Sequence, residues 1–106
     1  MKRTTAQREA AFARLAATFI NECSNRQSLI TVTGATLSSD GARVTILVTV
    51  LPEDKEHTVF DFLKRHRSAF KEYIRHNTRI GRIPSFDFDI DHGEKNRQRI
   101  EELSKK

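Results

Sequence analysis

Hydrophobic residues in the first half of the chain follow a helical period and then a strand period. Apolar side chains from Phe12 to Cys23 recur at intervals of three and four, which predicts a helix over about 4–23. Two β-branched segments follow, 29–37 and 42–51, and the second alternates between two faces. The sequence SSDG between them ends in a glycine that can adopt positive φ, so we expect an antiparallel hairpin.

The second half predicts one long helix and a third strand. Pro52 and the acidic residues after it are typical of a helix start, and apolar positions keep helical spacing as far as the stop signal at Gly81. A helix of about 25 residues is long for a small domain, so we expect a bend near 67–69. Pro84 then precedes a strand over 86–90, in which the apolar residues point inward and the aspartates outward.

The C-terminal segment predicts a short helix that begins at a D-x-x-E capping pattern, Asp91 and Glu94. Only Ile100 and Leu103 are available to dock it, so we expect its end to be frayed. The start of this helix after Asp91 predicts a division of the chain into a domain over 1–91 and a helical extension over 92–106. The order α-β-β-α-(kink)-α-β predicts an α+β fold with helices packed on one face of a three-stranded sheet.

Composition is that of an ordinary globular chain of one domain. It has 106 residues, of which 37% are hydrophobic and 31% charged. No apolar run approaches the roughly 18 residues of a membrane span, and the polar N-terminus is unlike a secretory signal, so we expect a cytoplasmic protein. The single cysteine, Cys23, excludes an internal disulfide, and it continues the apolar stripe of the first helix, so we expect it in the core.

Positive charge is concentrated in one segment of the chain. The formal net charge is +5, whereas residues 64–82 contain seven Lys/Arg against the single acid Glu72. Six of these bases are three or four residues apart and therefore form one row on the predicted helix, well away from its apolar stripe. We call this row the basic ridge: Lys64, Arg67, Lys71, Arg75, Arg79 and Arg82.

The basic ridge predicts a nucleic-acid contact. Like charges four residues apart repel each other, and solvated helix faces usually mix signs, so a solvated face is the less favoured interpretation. A phosphate backbone favours such a row because each neutralised phosphate releases counterions. Arg65 should assist, as should an N-terminal cluster of Lys2, Arg3 and Arg8, for which a solvated, frayed terminus is the alternative.

Three aspartates, Asp87, Asp89 and Asp91, fall on one face of the third strand. Two such carboxylates can hold a divalent ion in transferases and nucleases, which leaves a metal-dependent enzyme as an alternative. No histidine at metal-site spacing, further carboxylate cluster or phosphate-binding glycine loop accompanies them, so we favour a polar outer face that discourages edge pairing. We also hypothesise that this face repels RNA and thereby orients the bound protein.

The remaining polar and aromatic residues favour structural roles. Tyr73 could stack on a base, but its place on the apolar side of the helix favours core packing, and His66 is interpreted as a core or boundary histidine. The four histidines lack zinc spacing, and neither a Ser/His/Asp set nor a P-loop is present. We therefore expect no enzyme activity, cofactor, metal or small-molecule substrate.

Three separated motifs resemble the ribosome-binding factor A family of bacterial small-subunit maturation factors. They are the strand–turn–strand SLITVTGATLSSDGARVTILVTVL, the segment RIGRIPSFDFDID and the closing RQRIEEL. The resemblance implies a type II KH-like fold, in which a helix–kink–helix replaces the glycine-rich phosphate loop of ordinary KH domains. The corresponding stretch here, HRSAF, has no glycine, although Ser68 and Ala69 are small enough to permit a bend.

The resemblance also implies a function: a non-catalytic factor that binds the immature small ribosomal subunit and aids maturation of the ends of its rRNA, notably in the cold. The basic ridge lies on the segment where KH-like domains meet RNA, and phosphate contacts would follow RNA shape more than base sequence. We expect a monomer. The alternatives are a generic single-strand RNA-binding module, which the missing G-x-x-G motif disfavours, the metal-dependent enzyme, and an adaptor that binds protein through its sheet edge.

Overall fold

Four helices and three strands follow one another in the predicted order. The computed structural model describes residues 4–23 and 28–104, without the side chains of residues 99 and 102–104. A 3₁₀ turn over Glu53–Lys55 precedes the second helix. The elements are α1 Thr5–Cys23, β1 Leu29–Leu37, β2 Arg43–Leu51, α2 Glu56–Arg65, α3 Arg67–Asn77, β3 Ser85–Ile90 and α4 His92–Ser104.

The three strands form one sheet in the order β1-β2-β3. β1 and β2 are antiparallel, as the hairpin prediction requires, and Gly41 in the turn adopts φ 73°. β2 and β3 are parallel, with Val44 opposite Phe86. Parallel neighbours need a crossover connection, which α2 and α3 supply. A bulge between Val32 and Gly34 interrupts the ladder of β1.

One face of this sheet carries the core. The alternating apolar residues of β2 and the phenylalanines of β3 are buried, together with apolar residues of α1, α2 and α3. Phe70 of α3 lies at the centre with 0% exposure. Its ring centroid is 4.7 Å from that of Phe86 and 5.2 Å from that of Phe19. The predicted α+β fold, with helices on one face of a three-stranded sheet, is confirmed.

The long second helix is broken at His66, one residue before the predicted bend. His66 has φ −99° and ψ 9°, which needs no glycine. Its backbone N–H donates to the carbonyls of Leu63 and Phe62, its Nδ1 is 2.8 Å from the same Phe62 carbonyl, and its ring packs on the Phe62 ring. The imidazole therefore fills the break, in agreement with the predicted boundary position.

The helix also ends earlier than predicted, at Asn77 rather than near Gly81. The Asn77 side-chain amide donates to the Tyr73 carbonyl at 2.8 Å, and the Thr78 hydroxyl donates to the Ile74 carbonyl at 2.7 Å. These bonds satisfy carbonyls of the last turn, and Thr78 is extended, with φ −140°. Residues 78–84 consequently form a loop.

One prediction of burial is wrong, and one residue available for docking α4 is exposed. Cys23 is exposed, because the buried face of α1 ends at Ile20 and Cys23 lies in the final turn. Partial desolvation, with a smaller effect of the Glu22 carboxylate, raises the pKa of this thiol. Ile100 of α4 is 64% exposed and therefore does not dock; the side chain of Leu103 lies outside the described residues.

The start of α4 is held by polar contacts. Asp91 accepts a hydrogen bond from the backbone N–H of Glu94 at 3.0 Å, which is half of the predicted capping pattern. The Glu94 carboxylate bonds to Arg97 instead of returning to the cap. Lys95 forms an ion pair with Glu56 of α2 at 2.9 Å.

The division into 1–91 and 92–106 stays a prediction. No described helix is both long and apolar enough to cross a membrane.

Candidate nucleic-acid interface

The basic ridge is divided between two helices and a loop. Lys64 lies on α2, the next three members lie on α3, and Arg79 and Arg82 lie in the loop 78–84. The prediction that all six share one helix is therefore wrong, because the caps at Asn77 and Thr78 end α3 before Arg79. Five of the six are exposed and Lys71 is half-buried.

Two members of the ridge have acidic partners. Arg67 Nη1 lies 3.5 Å from Asp87 Oδ1, and Arg75 Nη1 lies 3.5 Å from Glu72 Oε1. All four side chains are about half exposed, so each ion pair contributes at most about 1 kcal/mol to the stability of the fold. Across 4–23 and 28–104, no ion pair involves the other members of the ridge, which are Lys64, Lys71, Arg79 and Arg82.

Arg65 and Arg67 also stabilise the break. Arg65 Nε donates to the Asp61 carbonyl at 3.3 Å, and Arg67 Nε donates to the Lys64 carbonyl at 3.2 Å. Both guanidinium groups thus lie at the C-terminal end of α2, where positive charge complements the helix dipole. Because a guanidinium has five N–H donors, each group keeps further donors for an anion.

A groove that the sequence did not predict joins α1 to the basic segment. Its volume is about 890 Å³. One wall is a face of α1 and the other is the end of α3 with the loop after it. Positions 8, 11, 12 and 15 share a helix face, but only the fold brings this face opposite Arg79. The lining residues are Arg8, Ala11, Phe12, Leu15, Asn77, Thr78, Arg79 and Ile80.

Of the predicted N-terminal cluster, only Arg8 can be placed; Lys2 and Arg3 lie outside the described residues. Arg8 is half-buried and Arg79 is exposed, and both line the groove. No ion pair involves either of them within the described ranges. The structure thus brings together two predicted RNA-binding residues from distant parts of the sequence.

Asp87 and Asp89 accept backbone hydrogen bonds at the open edge of the sheet. Ser85 donates its N–H to Ala42, and Asp91 donates to Val48, so odd-numbered residues of this segment face β2. The N–H groups of the intervening residues therefore face the open edge. Asp87 Oδ1 accepts the N–H of Phe88, and Asp89 Oδ1 accepts the N–H of the following isoleucine, both at 2.8 Å.

Asp91 has a different environment from the other two aspartates. It follows β3, and its Oδ2 accepts the Thr33 hydroxyl at 2.6 Å while its Oδ1 caps α4 at Glu94. These bonds, with that of Thr33 the strongest, lower the pKa of Asp91 below its usual value. No group of three or more His, Cys, Asp and Glu side chains able to hold a metal ion occurs among the described residues.

Tyr73 packs as predicted rather than being presented for stacking. It is half-buried, and its ring centroid lies 5.4 Å from that of Phe19 and 6.4 Å from that of Phe70. Contacts of this kind stabilise an aromatic core.

The family profile described as ribosome-binding factor A matches residues 3–104. The chain belongs to the ribosome-binding factor A family. The predicted resemblance is thereby confirmed. In this chain, the α2–His66–α3 unit is the helix–kink–helix expected of the family, and a histidine with negative φ supplies the bend.

Solved structures support the same conclusion. The crystal structure of ribosome-binding factor A from Thermus thermophilus is similar with a TM-score of 0.74 and 25% identity, covering 82% of this chain and 94% of that one. A T. thermophilus homology model fitted into the cryo-EM map of a 30S–RbfA complex gives a TM-score of 0.70 and 26% identity, covering 80% and 92%.

A third structure agrees in fold. The solution structure of a Thermotoga maritima protein described as a putative ribosome binding factor A has a TM-score of 0.66 at 23% identity, covering 79% of this chain and 83% of that one. Among curated proteins, none matches this chain. The KH-like α+β fold of this chain thus agrees with two solved structures and one fitted homology model of similar proteins.

Proposed function

We propose that this protein binds the immature small ribosomal subunit through its rRNA and assists the maturation of that rRNA. It acts in the cytoplasm as a monomer without a cofactor, and the requirement for it is greatest in the cold, as the family resemblance implies. Family membership supports the proposal, and so does the fitting of a T. thermophilus relative into a 30S complex.

The observation that carries the RNA contact is the exposed basic surface of α2, α3 and the loop 78–84. Seven bases occur there, and within the described part of the chain only Arg67 and Arg75 among them are ion-paired, in exposed and weak pairs. A polyanion that neutralises such a surface gains free energy from counterion release. The contacting residues are Lys64, Arg65, Arg67, Lys71, Arg75, Arg79 and Arg82, assisted by Lys2, Arg3 and Arg8.

The mechanism is positional and makes or breaks no bond. Arg65 and Arg67 are fixed on the carbonyls at the end of α2, so their remaining donors have a defined direction for phosphate oxygens. Contacts to phosphates set the register of a protein on RNA and follow the shape of the RNA rather than its sequence. The protein therefore holds the rRNA in a conformation suited to processing.

A pair of charge reversals tests this proposal. Arg75→Glu/Arg79→Glu replaces exposed side chains, so the protein should fold as before. Its affinity for immature small subunits should fall, and the log–log salt dependence should flatten by roughly one unit for each phosphate that the variant no longer neutralises. Binding is measured by co-sedimentation at several salt concentrations.

The matched control is Arg14→Glu/Arg43→Glu. It changes the net charge by the same amount, at exposed residues on α1 and at the start of β2. If the ridge binds rRNA, the control should keep most of the affinity and its salt slope. Equal losses in the two double variants would show that net charge alone matters, and unchanged binding by the folded Arg75/Arg79 variant would exclude the proposed surface.

A further inference from the structure

The groove beside α1 exists because α3 is shorter than α1. Phe19 in the second half of α1 packs on Phe70 and Tyr73, with centroids 5.2 Å and 5.4 Å away. α3 ends at Asn77, and the extended Thr78 turns the chain into a loop, so α3 packs beside the second half of α1 and does not continue along its first half. The result is a depression of about 890 Å³, within the usual range of ligand sites.

The lining of the groove combines apolar surface with positive charge. Phe12 lies buried at the floor of the groove, and Leu15 is half-buried. Ile80 is 37% exposed although it is a large aliphatic residue. Arg8 and Arg79 stand at its walls. None of the described lining residues is acidic.

Polar acceptors complete the lining. Asn77 and Thr78 use their side-chain donors on the carbonyls at the end of α3. The carbonyl oxygen of the Asn77 side chain and the hydroxyl oxygen of Thr78 can still accept hydrogen bonds. The lining of the groove thus combines apolar side chains with two arginines and two side chains that can accept hydrogen bonds.

We propose that this groove holds one unpaired base of the bound RNA, with the phosphates on either side of that base at Arg8 and Arg79. The proposal rests on the RNA binding proposed above. A free phosphate would leave the apolar floor unused, and an apolar peptide would leave the arginines unused. A base with its phosphates uses both, since unstacked bases pack on apolar or guanidinium surfaces and their edges donate hydrogen bonds.

Titration of the isolated protein with mononucleotides tests the groove directly. The probes are AMP, CMP, GMP and UMP, and ribose 5-phosphate is the control that has the phosphate but no base. Amide chemical shifts should move at Ala11, Leu15, Thr78 and Ile80 with at least one mononucleotide, at concentrations roughly tenfold below those needed for ribose 5-phosphate. Equal responses to all five compounds, or shifts only outside the groove, would overturn the proposal.

A second experiment asks whether the bound subunit uses the groove. Ala11→Phe fills the groove and Ile80→Gln makes its wall polar, and neither changes the charge. Each should weaken binding to immature small subunits by roughly fivefold to tenfold, with the salt slope unchanged because the same phosphates remain neutralised. Ile80 is partly exposed, so its variant should fold even if the Ala11 variant does not.

The two proposals fail in different ways. If Arg75→Glu/Arg79→Glu binds subunits normally, the proposed function is wrong, while the mononucleotide titration still decides whether the groove accepts a base. If mononucleotides bind the groove but both groove variants keep full affinity for subunits, the groove is not a contact for an rRNA base and this inference is wrong, while the proposed function stands.

Discussion

Arg67 of α3 contacts Asp87 of β3 across the edge of the sheet, with Nη1 and Oδ1 3.5 Å apart. The contact joins the basic ridge to the outer face of β3 that carries Asp87 and Asp89, although the sequence pattern predicts two separate surfaces. Both side chains are about half exposed, so the pair is screened by water and salt. The carboxylate therefore competes weakly with any phosphate for this guanidinium.

Asp87→Asn should strengthen binding to small subunits. The amide removes the negative charge beside Arg67, while its carbonyl oxygen can still accept the Phe88 N–H. Because an exposed ion pair is worth at most about 1 kcal/mol, the expected gain is up to roughly fivefold. It is measured by co-sedimentation with subunits at low and moderate salt.

Asp89→Asn is the matched control for this prediction. It makes the same charge change on the same strand, and no ion pair of Asp89 occurs among the described residues. Its effect should be smaller than that of Asp87→Asn. Weaker binding by Asp87→Asn would contradict the argument and would instead favour a role of the pair in orienting Arg67.

Much of the fold was accessible from sequence because burial in this chain follows local periods. The alternating residues of β2 and β3 and the spacing of α1 each predict one buried face, and those faces pack together into one core. The end of α3 was missed because helical spacing continued past it. The decisive signal was the Asn77–Thr78 pair, whose side chains cap the helix.

Less of the candidate site could be predicted, because it depends on contacts between distant segments. The sequence identified the bases but not the ion pair of Arg67 with Asp87, nor the position of Arg8 and Arg79 on the same groove. It also grouped Asp91 with the outer aspartates, whereas the bulge at Thr33 gives that carboxylate a separate partner. Periodicity assigns a residue to a face, and only tertiary packing gives it a partner.

Asp91 should matter more for stability than its partial exposure suggests. Asp91→Ala removes both the cap of α4 and the bond to Thr33, and we expect the free energy of unfolding at neutral pH to fall by about 1–3 kcal/mol. Thr33→Ser, which keeps the hydroxyl, should change the free energy of unfolding little. The measurement is chemical denaturation monitored by circular dichroism.

The effect of Asp91→Ala should depend on pH in a defined direction. The Thr33 hydroxyl lowers the pKa of Asp91 in the folded protein, so the ionised carboxylate stabilises the fold above the unfolded value near 3.9. That contribution is lost as pH falls through the lowered folded pKa. The difference in the free energy of unfolding between Asp91→Ala and the wild type should therefore become smaller at acid pH. A difference that stays constant with pH would contradict the argument.

Phe70 should be the most sensitive position of the aromatic core. It has 0% exposure and packs against rings from α1 and β3, so Phe70→Ala leaves a cavity between layers. Truncations of this kind cost about 3–5 kcal/mol, a large share of the roughly 5–15 kcal/mol typical of a domain. Phe60→Ala, at a partly buried position of α2, is the control and should cost less. Similar midpoints of urea unfolding for the two variants would contradict this view of the core.

The aspartates of β3 should keep the open edge of the sheet from pairing with another chain. Asp87→Ala/Asp89→Ala leaves the edge-facing N–H groups of Phe88 and Ile90 without their acceptors, and unpaired edge amides are templates for strand addition. The average molecular mass of this double alanine variant, measured by sedimentation, should therefore rise with protein concentration more steeply than that of the wild type. Asp87→Asn/Asp89→Asn removes the same two charges but keeps carbonyl acceptors, so it should associate less than the alanine variant. Equal association of the two variants would mean that charge repulsion, and not the capping of edge amides, protects this edge.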